Sequence, residues 1–290
     1  MMCELDQLSE MSRIDRRQFG AIGAIGAMGA LAVLSASVTA EAKGAGGLTE
    51  SMVSFAAPGG TMDAFFVHPA KGKHPAVIIW PDIAGLREVF KVMGRRLAAA
   101  GYSVIVANPF YQDGPAPQFA DFNAFRTADG FKKVGPWMAK NTQGAVIGMA
   151  QAIVRWLDKQ PSVDKKRGIG TQGYCMGGPF VVRTTAAVPG RIKAGATFHG
   201  GGLVTDAADS PIKLLPQARA SYLIAIAKND DAQRPAEKAT IKAAMAAAGR
   251  PAEVEVYGGD HGWTVADSPV YNQAEAERAW GRLLALYAKL

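Results

Sequence analysis

Six short apolar runs set the limits on how this chain folds. They lie in HPAVIIWPD (strand about Ala76 to Trp80), YSVIVANPF, RGIGTQ, KAGATFHG, SYLIAIAKND and AEVEVYGGDH. Each is four to eight residues long, and most are rich in Val, Ile or Ala and end in polar or glycine-containing stretches. Runs of that length without alternation belong to strands buried on both faces. Helical patterns separate several of them. LREVFKVMGRRLAAAG predicts a helix that stops at Gly101. Val146, Met149, Ala150, Ile153, Trp156 and Leu157 share one helical face, and so do Ala276, Ala279, Trp280, Leu283 and Tyr287. A further helix is expected around Ala236–Ala248. Strands alternating with helices call for a mainly parallel sheet covered on both faces. Ligands of such sheets bind beyond the carboxyl ends of the strands. The stretch from Gln112 to about Met138 reads as an irregular surface excursion, a lid or pocket wall.

The first 42 residues follow a different plan. Arg16 and Arg17 precede Phe19, an Ala/Gly-rich apolar run extends to about Leu34, and Ala40 and Ala42 form an A-x-A pattern. This is the layout of an export signal, and the paired arginines resemble a twin-arginine signal. Cleavage is expected after Ala42, with Ala40 as the second choice. The apolar run is shorter than the ~20 residues a spanning helix needs, so no stable membrane association is expected after cleavage. Residues 43–290 are then one domain, in a periplasmic or otherwise exported location. Removing residues 1–42 takes away three basic and five acidic residues, which moves the net charge from +7 to +9. Cys3 goes too, leaving Cys175 as the one cysteine, unable to form an internal disulfide. The basic residues are scattered, with no dense run, which argues against nucleic acid as a partner. A monomer is the expected state.

GIGTQGYCMGGPF, residues 168–180, places Cys175 between Gly173 and Gly177 where a strand gives way to a helix. A sharp strand-to-helix turn leaves no room for side chains at its flanking positions. The pattern G-x-C-x-G is the cysteine form of a nucleophile elbow. It lifts the sulfur above the sheet at a helix N-terminus, where backbone N–H groups favour a thiolate. The amide of Met176, next in the chain, points toward a developing oxyanion. A thiol nucleophile needs a base and an orienting acid. Two later strands end in candidates: AKNDD offers Asp230, with Asp231 as the alternative, and GGDHGW offers His261. Strand ends share one sheet edge, so all three belong near one another. His68 and His74 flank prolines and read as surface residues, and His199, in FHGGG, reads as a strand end near the pocket. No His, Cys and Asp cluster has metal-ligand spacing, and no Gly-rich loop has phosphate-binding form.

GYCMGG, AKNDD and GGDHGW, in that order, together with VIIWPDIAGL and GYSVIVANPFY upstream, resemble the dienelactone hydrolase family. The likeness covers roughly residues 50–290. It implies the α/β-hydrolase fold, with Cys175 as nucleophile, His261 as base and Asp230 as orienting acid. The amides of Ile83 and Met176 would form the oxyanion hole. No cofactor or metal is implied. The family's thiol-controlling carboxylate, usually glutamate, falls at Asp82, one methylene shorter. Asp82 either keeps that role or caps the following turn. Where founding members carry a substrate-gripping arginine four residues after the histidine, this chain has Val265, with Trp263 nearby. Arg126 is a candidate for the second anion-binding arginine. The reading is a hydrolase of a small ester or lactone acting through a thioester. A general carboxylesterase or thioesterase on the same triad is the alternative. The reading from another class is an exported small-ligand binder with a thiol redox sensor.

Overall fold

Branching at Cβ makes Val and Ile fit a pleated strand better than a helix. The apolar runs accordingly form the middle of a sheet. The structure is a computed structural model that describes residues 47–290. The export signal, its cleavage at Ala42 or Ala40 and the start of the 43–290 domain lie outside the described residues. In chain order the elements are β1 (Leu48–Ala57), β2 (Gly60–Pro69), β3 (Ala76–Trp80), α1 (Glu88–Ala99), β4 (Ser103–Ala107), α2 (Phe122–Thr127) and α3 (Gly130–Lys140). They continue with α4 (Gln143–Leu157), β5 (Ile169–Tyr174), α5 (Gly177–Ala187), β6 (Ile192–Phe198), a 3-10 turn (Pro211–Gln217) and β7 (Ser221–Ala227). The last are α6 (Lys228–Gln233), α7 (Glu237–Ala247), β8 (Ala252–Tyr257) and α8 (Gln273–Tyr287).

One eight-stranded sheet runs in the order β1-β2-β4-β3-β5-β6-β7-β8. From β4 to β8 every pairing is parallel, as the alternation of strands and helices requires. The β1–β2 hairpin is antiparallel, and β2 pairs antiparallel with β4. The apolar runs of the sequence do not predict this hairpin. β1 is mostly exposed, so it lacks the pattern that marks the inner strands.

Alternate side chains of each inner strand serve opposite faces. Val77 and Ile79 of β3 and Val104 and Val106 of β4 join Leu86, Phe90 and Leu97 near α1 and Leu283 and Tyr287 of α8 in one buried cluster. Val182, Leu215, Tyr222, Ile224, Ile241 and Met245 form another with α5 and α7. Burying a side chain of this size contributes about 1.5–3 kcal/mol against leaving it in water. Trp80 turns to α5, where its Nε1 donates to Thr184 Oγ1 at 3.1 Å. The expected helices form, with local stops and starts. Gly101 follows α1 at φ 98°, Thr142 caps α4 by accepting from the Ala145 amide, and Asn272 caps α8 by accepting from the Glu275 amide. On α4, Trp156 leans toward the hairpin and packs on Phe55 and Phe66.

The stretch from Gln112 to Met138 is more ordered than expected. It contains α2 and most of α3, and Asp121 caps α2 by accepting from the Ala124 amide at 2.7 Å. Phe119, Phe125 and Phe131 pack ring against ring, as do Phe110 and Trp137. Its helices are short, and α3 contains Gly and Pro, so they leave little periodicity to read.

Candidate active site

Cys175 stands between β5 and α5 at φ 50°, a left-handed conformation that non-glycine residues rarely adopt. The turn is held by the Cys175 amide donating to Phe198 O at 3.1 Å and by the Gly178 amide donating to Cys175 O at 2.9 Å. The glycines are required by close approach. A Cβ on Gly173 would lie 2.0 Å from the Gly177 oxygen, and one on Gly177 would lie 2.4 Å from the Trp80 oxygen. The thiol therefore sits just ahead of α5, whose N-cap is Met176. It is half-buried.

The loop after β3 comes close to the elbow, with the Trp80 and Pro81 oxygens packed against Gly177. Its turn takes the Ala84 amide on Asp82 Oδ1 at 2.9 Å and the Gly85 amide on Asp82 O at 3.0 Å. Those two bonds leave the amide of Ile83 as the one in the middle of the turn that Asp82 does not use. Ile83 and Met176 are both buried.

His261 lies in the loop after β8. Its Nδ1 pairs with Asp230 Oδ2 at 2.8 Å, and its own amide donates to Asn229 Oδ1 at 2.8 Å. The Lys228 amide donates to Gly259 O at 3.0 Å, which latches the two loops together. The acid departs from the sequence reading in one respect. β7 ends at Ala227, and Asp230 rides on the short helix α6 rather than on the strand end. Of the two candidate acids, the histidine bond goes to Asp230. Asp231 instead accepts from Lys238 Nζ at 2.8 Å.

The other imidazole nitrogen, His261 Nε2, is buried without a hydrogen-bond partner. Cys175 is nonetheless within electrostatic range. Burial alone would hold the imidazole pKa down. Cys175, and then the hydrogen bond to Asp230, outweigh it and push the pKa up to about 10.

His199 is closer to this centre than its strand-end reading suggested. It is 1% exposed, has φ 41°, and its ring centroid is 4.8 Å from that of His261. Its Nε2 shares a hydrogen bond with Thr264 Oγ1 at 3.0 Å, while Nδ1 has no partner. Burial, and then the neighbouring His261, hold its pKa well below the ordinary value. His68 and His74 sit at the amino edge of the parallel strands, bonded to nearby backbone carbonyls and away from Cys175.

Asp82 has a different partner from the expected thiol. Its two oxygens accept from Arg87 Nη1 at 2.6 Å and Nη2 at 2.9 Å. It also caps the turn through Ala84, the second role the sequence allowed. Trp263 and Val265, near the family's arginine position, are core residues, and Trp263 stacks on Tyr257 at 4.7 Å. Arg126 is exposed in the last turn of α2. Arg87 and Asp267 are functional candidates that the sequence does not mark. An arginine five residues after an aspartate carries no signal until the fold buries it. Among the described residues no group of three or more His, Cys, Asp or Glu could hold a metal ion.

A parallel sheet flanked by helices, with a strained elbow residue above its carboxyl edge, defines an α/β-hydrolase fold. Solved structures share it. A provisionally named dienelactone hydrolase from Klebsiella pneumoniae subsp. pneumoniae aligns with TM-score 0.71 and 23% identity, over 84% of this chain and all of that one. A dienelactone hydrolase-like promiscuous phosphotriesterase, P91, from metagenomic libraries aligns with TM-score 0.66 and 22% identity, over 84% of this chain and 99% of that one. Residues 62–290 match the model of the dienelactone hydrolase family, and the chain belongs to that family. A provisionally named carboxymethylenebutenolidase of Salmonella typhi is 26% identical over 251 residues, 84% of this chain and 88% of that protein. The protein is a dienelactone hydrolase-like hydrolase.

Proposed function

We propose that the protein cleaves a small ester or lactone through Cys175, His261 and Asp230, by way of a thioester. The observation that carries this reading is the elbow. A cysteine held at φ 50° ahead of a helix N-terminus stands on the same sheet edge as a histidine bonded to a carboxylate. In the first half-reaction the Cys175 thiolate attacks the carbonyl carbon. The amides of Ile83 and Met176 stabilise the oxyanion, and one such donor is typically worth about 3–4 kcal/mol. The tetrahedral intermediate collapses, the carbon–oxygen bond to the leaving group breaks, and His261 protonates the departing alkoxide. In the second, His261 removes a proton from water, which attacks the thioester and frees the acid and the thiolate. Asp230 fixes the imidazole tautomer through Nδ1.

The buried Val265 in place of an arginine favours an ester or lactone without the anionic handle of the founding substrates. The protein acts in an exported compartment, after loss of residues 1–42, as a monomer without nucleic-acid partners. The test is hydrolysis of a dienelactone and of p-nitrophenyl acetate by the protein, with Cys175→Ala as the blank. Cysteine-dependent turnover of either is the expected result. Turnover that survives the substitution would overturn the mechanism. Turnover of the simple ester alone would make the protein a general esterase on the same residues.

A further inference from the structure

Arg87 is the most completely engaged charge near the site. Its side chain is fully buried. Nε and Nη2 donate to Asp267 Oδ2 and Oδ1 at 2.7 and 2.8 Å, Nη1 and Nη2 donate to Asp82 at 2.6 and 2.9 Å, and Nη1 also reaches Gly85 O at 3.2 Å. A guanidinium has five N–H groups, and this one makes five bonds. Bidentate pairing on two sides fixes the planar group in position and orientation.

What it joins matters more than its strength. Asp82 belongs to the loop after β3, which offers the Ile83 amide. Asp267 belongs to the loop after β8, which carries His261. In the sheet β3 and β8 are separated by β5, β6 and β7, so no backbone ladder ties the two loops. Asp267 Oδ2 also accepts from the Phe122 amide at 3.1 Å, at the start of α2, and Arg87 lies 5.8 Å from the Phe122 ring. One buried cation thus links the oxyanion loop, the histidine loop and the start of α2.

We propose that Arg87, gripping Asp82 and Asp267, is a positioning residue that sets the Ile83 amide against the thiol and the His261 loop. The proposal rests on the hydrolase reading above. It gives Asp82 a role that acts on the oxyanion loop rather than on the sulfur. To serve as a base for the thiol, Asp82 would have to give up a bidentate, charge-assisted pair inside the protein. Truncating one partner of such a pair leaves a buried charge uncompensated.

The test compares the full-length wild type with Arg87→Met, Asp82→Asn and Asp267→Asn, the two amides preserving volume if Arg87→Met fails to fold. Three readouts are needed. The first is kcat and KM for p-nitrophenyl acetate. The second is the affinity of an aryl trifluoromethyl ketone, whose adduct with Cys175 places an oxyanion in the hole. The third is the pH profile of Cys175 alkylation by iodoacetamide, which needs a thiolate and no oxyanion donor. In folded variants kcat should fall about tenfold to a hundredfold with KM little changed, the range expected when a catalytic group is misplaced. Ketone affinity should fall in parallel, with the alkylation profile unmoved. A movement of that profile in Asp82→Asn would overturn the proposal, because Asp82 would then act on the thiol itself. Unchanged kcat and ketone affinity in every folded variant would reduce the cluster to a structural ion pair and overturn it too. A wild type that neither turns over the ester nor binds the ketone would instead sink the hydrolase reading, and the proposal with it.

Discussion

The rings of His199 and His261 stand 4.8 Å apart at 59° to one another, the first fully buried and the second partly so. Two imidazolium ions that close would repel in a medium that screens poorly. Their surroundings push the two pKa values apart: burial and then His261 hold the His199 pKa well below its ordinary value, while Cys175 and Asp230 raise that of His261.

This division predicts a stability dependence on acid. The folded pKa of His199 lies well below its ordinary value of 6.5. Below pH 6.5 the unfolded chain therefore binds a proton that the folded chain does not. Stability from this group is present above that pH and is lost as pH falls toward the folded pKa, at up to about 1.4 kcal/mol per pH unit. Chemical denaturation between pH 7 and 5 should show the decline, and His199→Phe should flatten it. An equal slope in both proteins would refute the assignment.

Cys175→Ala should abolish hydrolysis, by about a millionfold if the residues act as a unit, while leaving thermal unfolding close to wild type. The same substitution should lower the His261 pKa from about 10, since Cys175 is the largest of the contributions that raise it. Imidazole titration by NMR reads this directly. A pKa that does not move would mean that the thiol and the imidazole are not coupled.

Asp230→Asn should cut kcat by about ten-thousandfold, as loss of the tautomer-fixing carboxylate does in comparable triads. Asp231→Asn should change little, because its partner Lys238 is partly exposed and such pairs contribute at most about 1 kcal/mol. Kinetics on the two variants, run side by side, decide between the acids. A larger loss at Asp231 would reverse the assignment.

Gly173→Ala and Gly177→Ala should each destabilise the fold by about 1–3 kcal/mol, the cost of forcing a methyl into packed space. The obstacles are backbone oxygens 2.0 and 2.4 Å from the added carbon, which cannot rotate aside. Gly201→Ala, where nothing lies within 4 Å, is the matched control. Melting temperatures near the control value for either elbow variant would contradict the packing argument.

Much of this arrangement is legible in the amino-acid sequence. The inner strands stand out as apolar runs, and the elbow as glycines at fixed offsets from one cysteine. The histidine and the acid can be placed because parallel strands bring their carboxyl ends to one edge. Three features are not legible, each for a physical reason. The β1–β2 hairpin is largely solvated along β1 and shows no core periodicity there. The helix under Asp230 is too short to set a pattern. Arg87 meets Asp267 across 180 positions, and His199 meets Thr264 across 65, so only the folded chain brings them into register.

The order of the chain has a kinetic consequence. The elbow is built from residues in its middle, but His261 and Asp267 lie near its carboxyl end. Long-range pairings of this kind form late, because loop closure must come before the contacts that reward it. A nascent chain can fold the strand, the turn and the helix around Cys175 while the sulfur still has no base and the loop beside it no clasp. On the proposed mechanism, competence for chemistry then arrives only with the final strand and its loop.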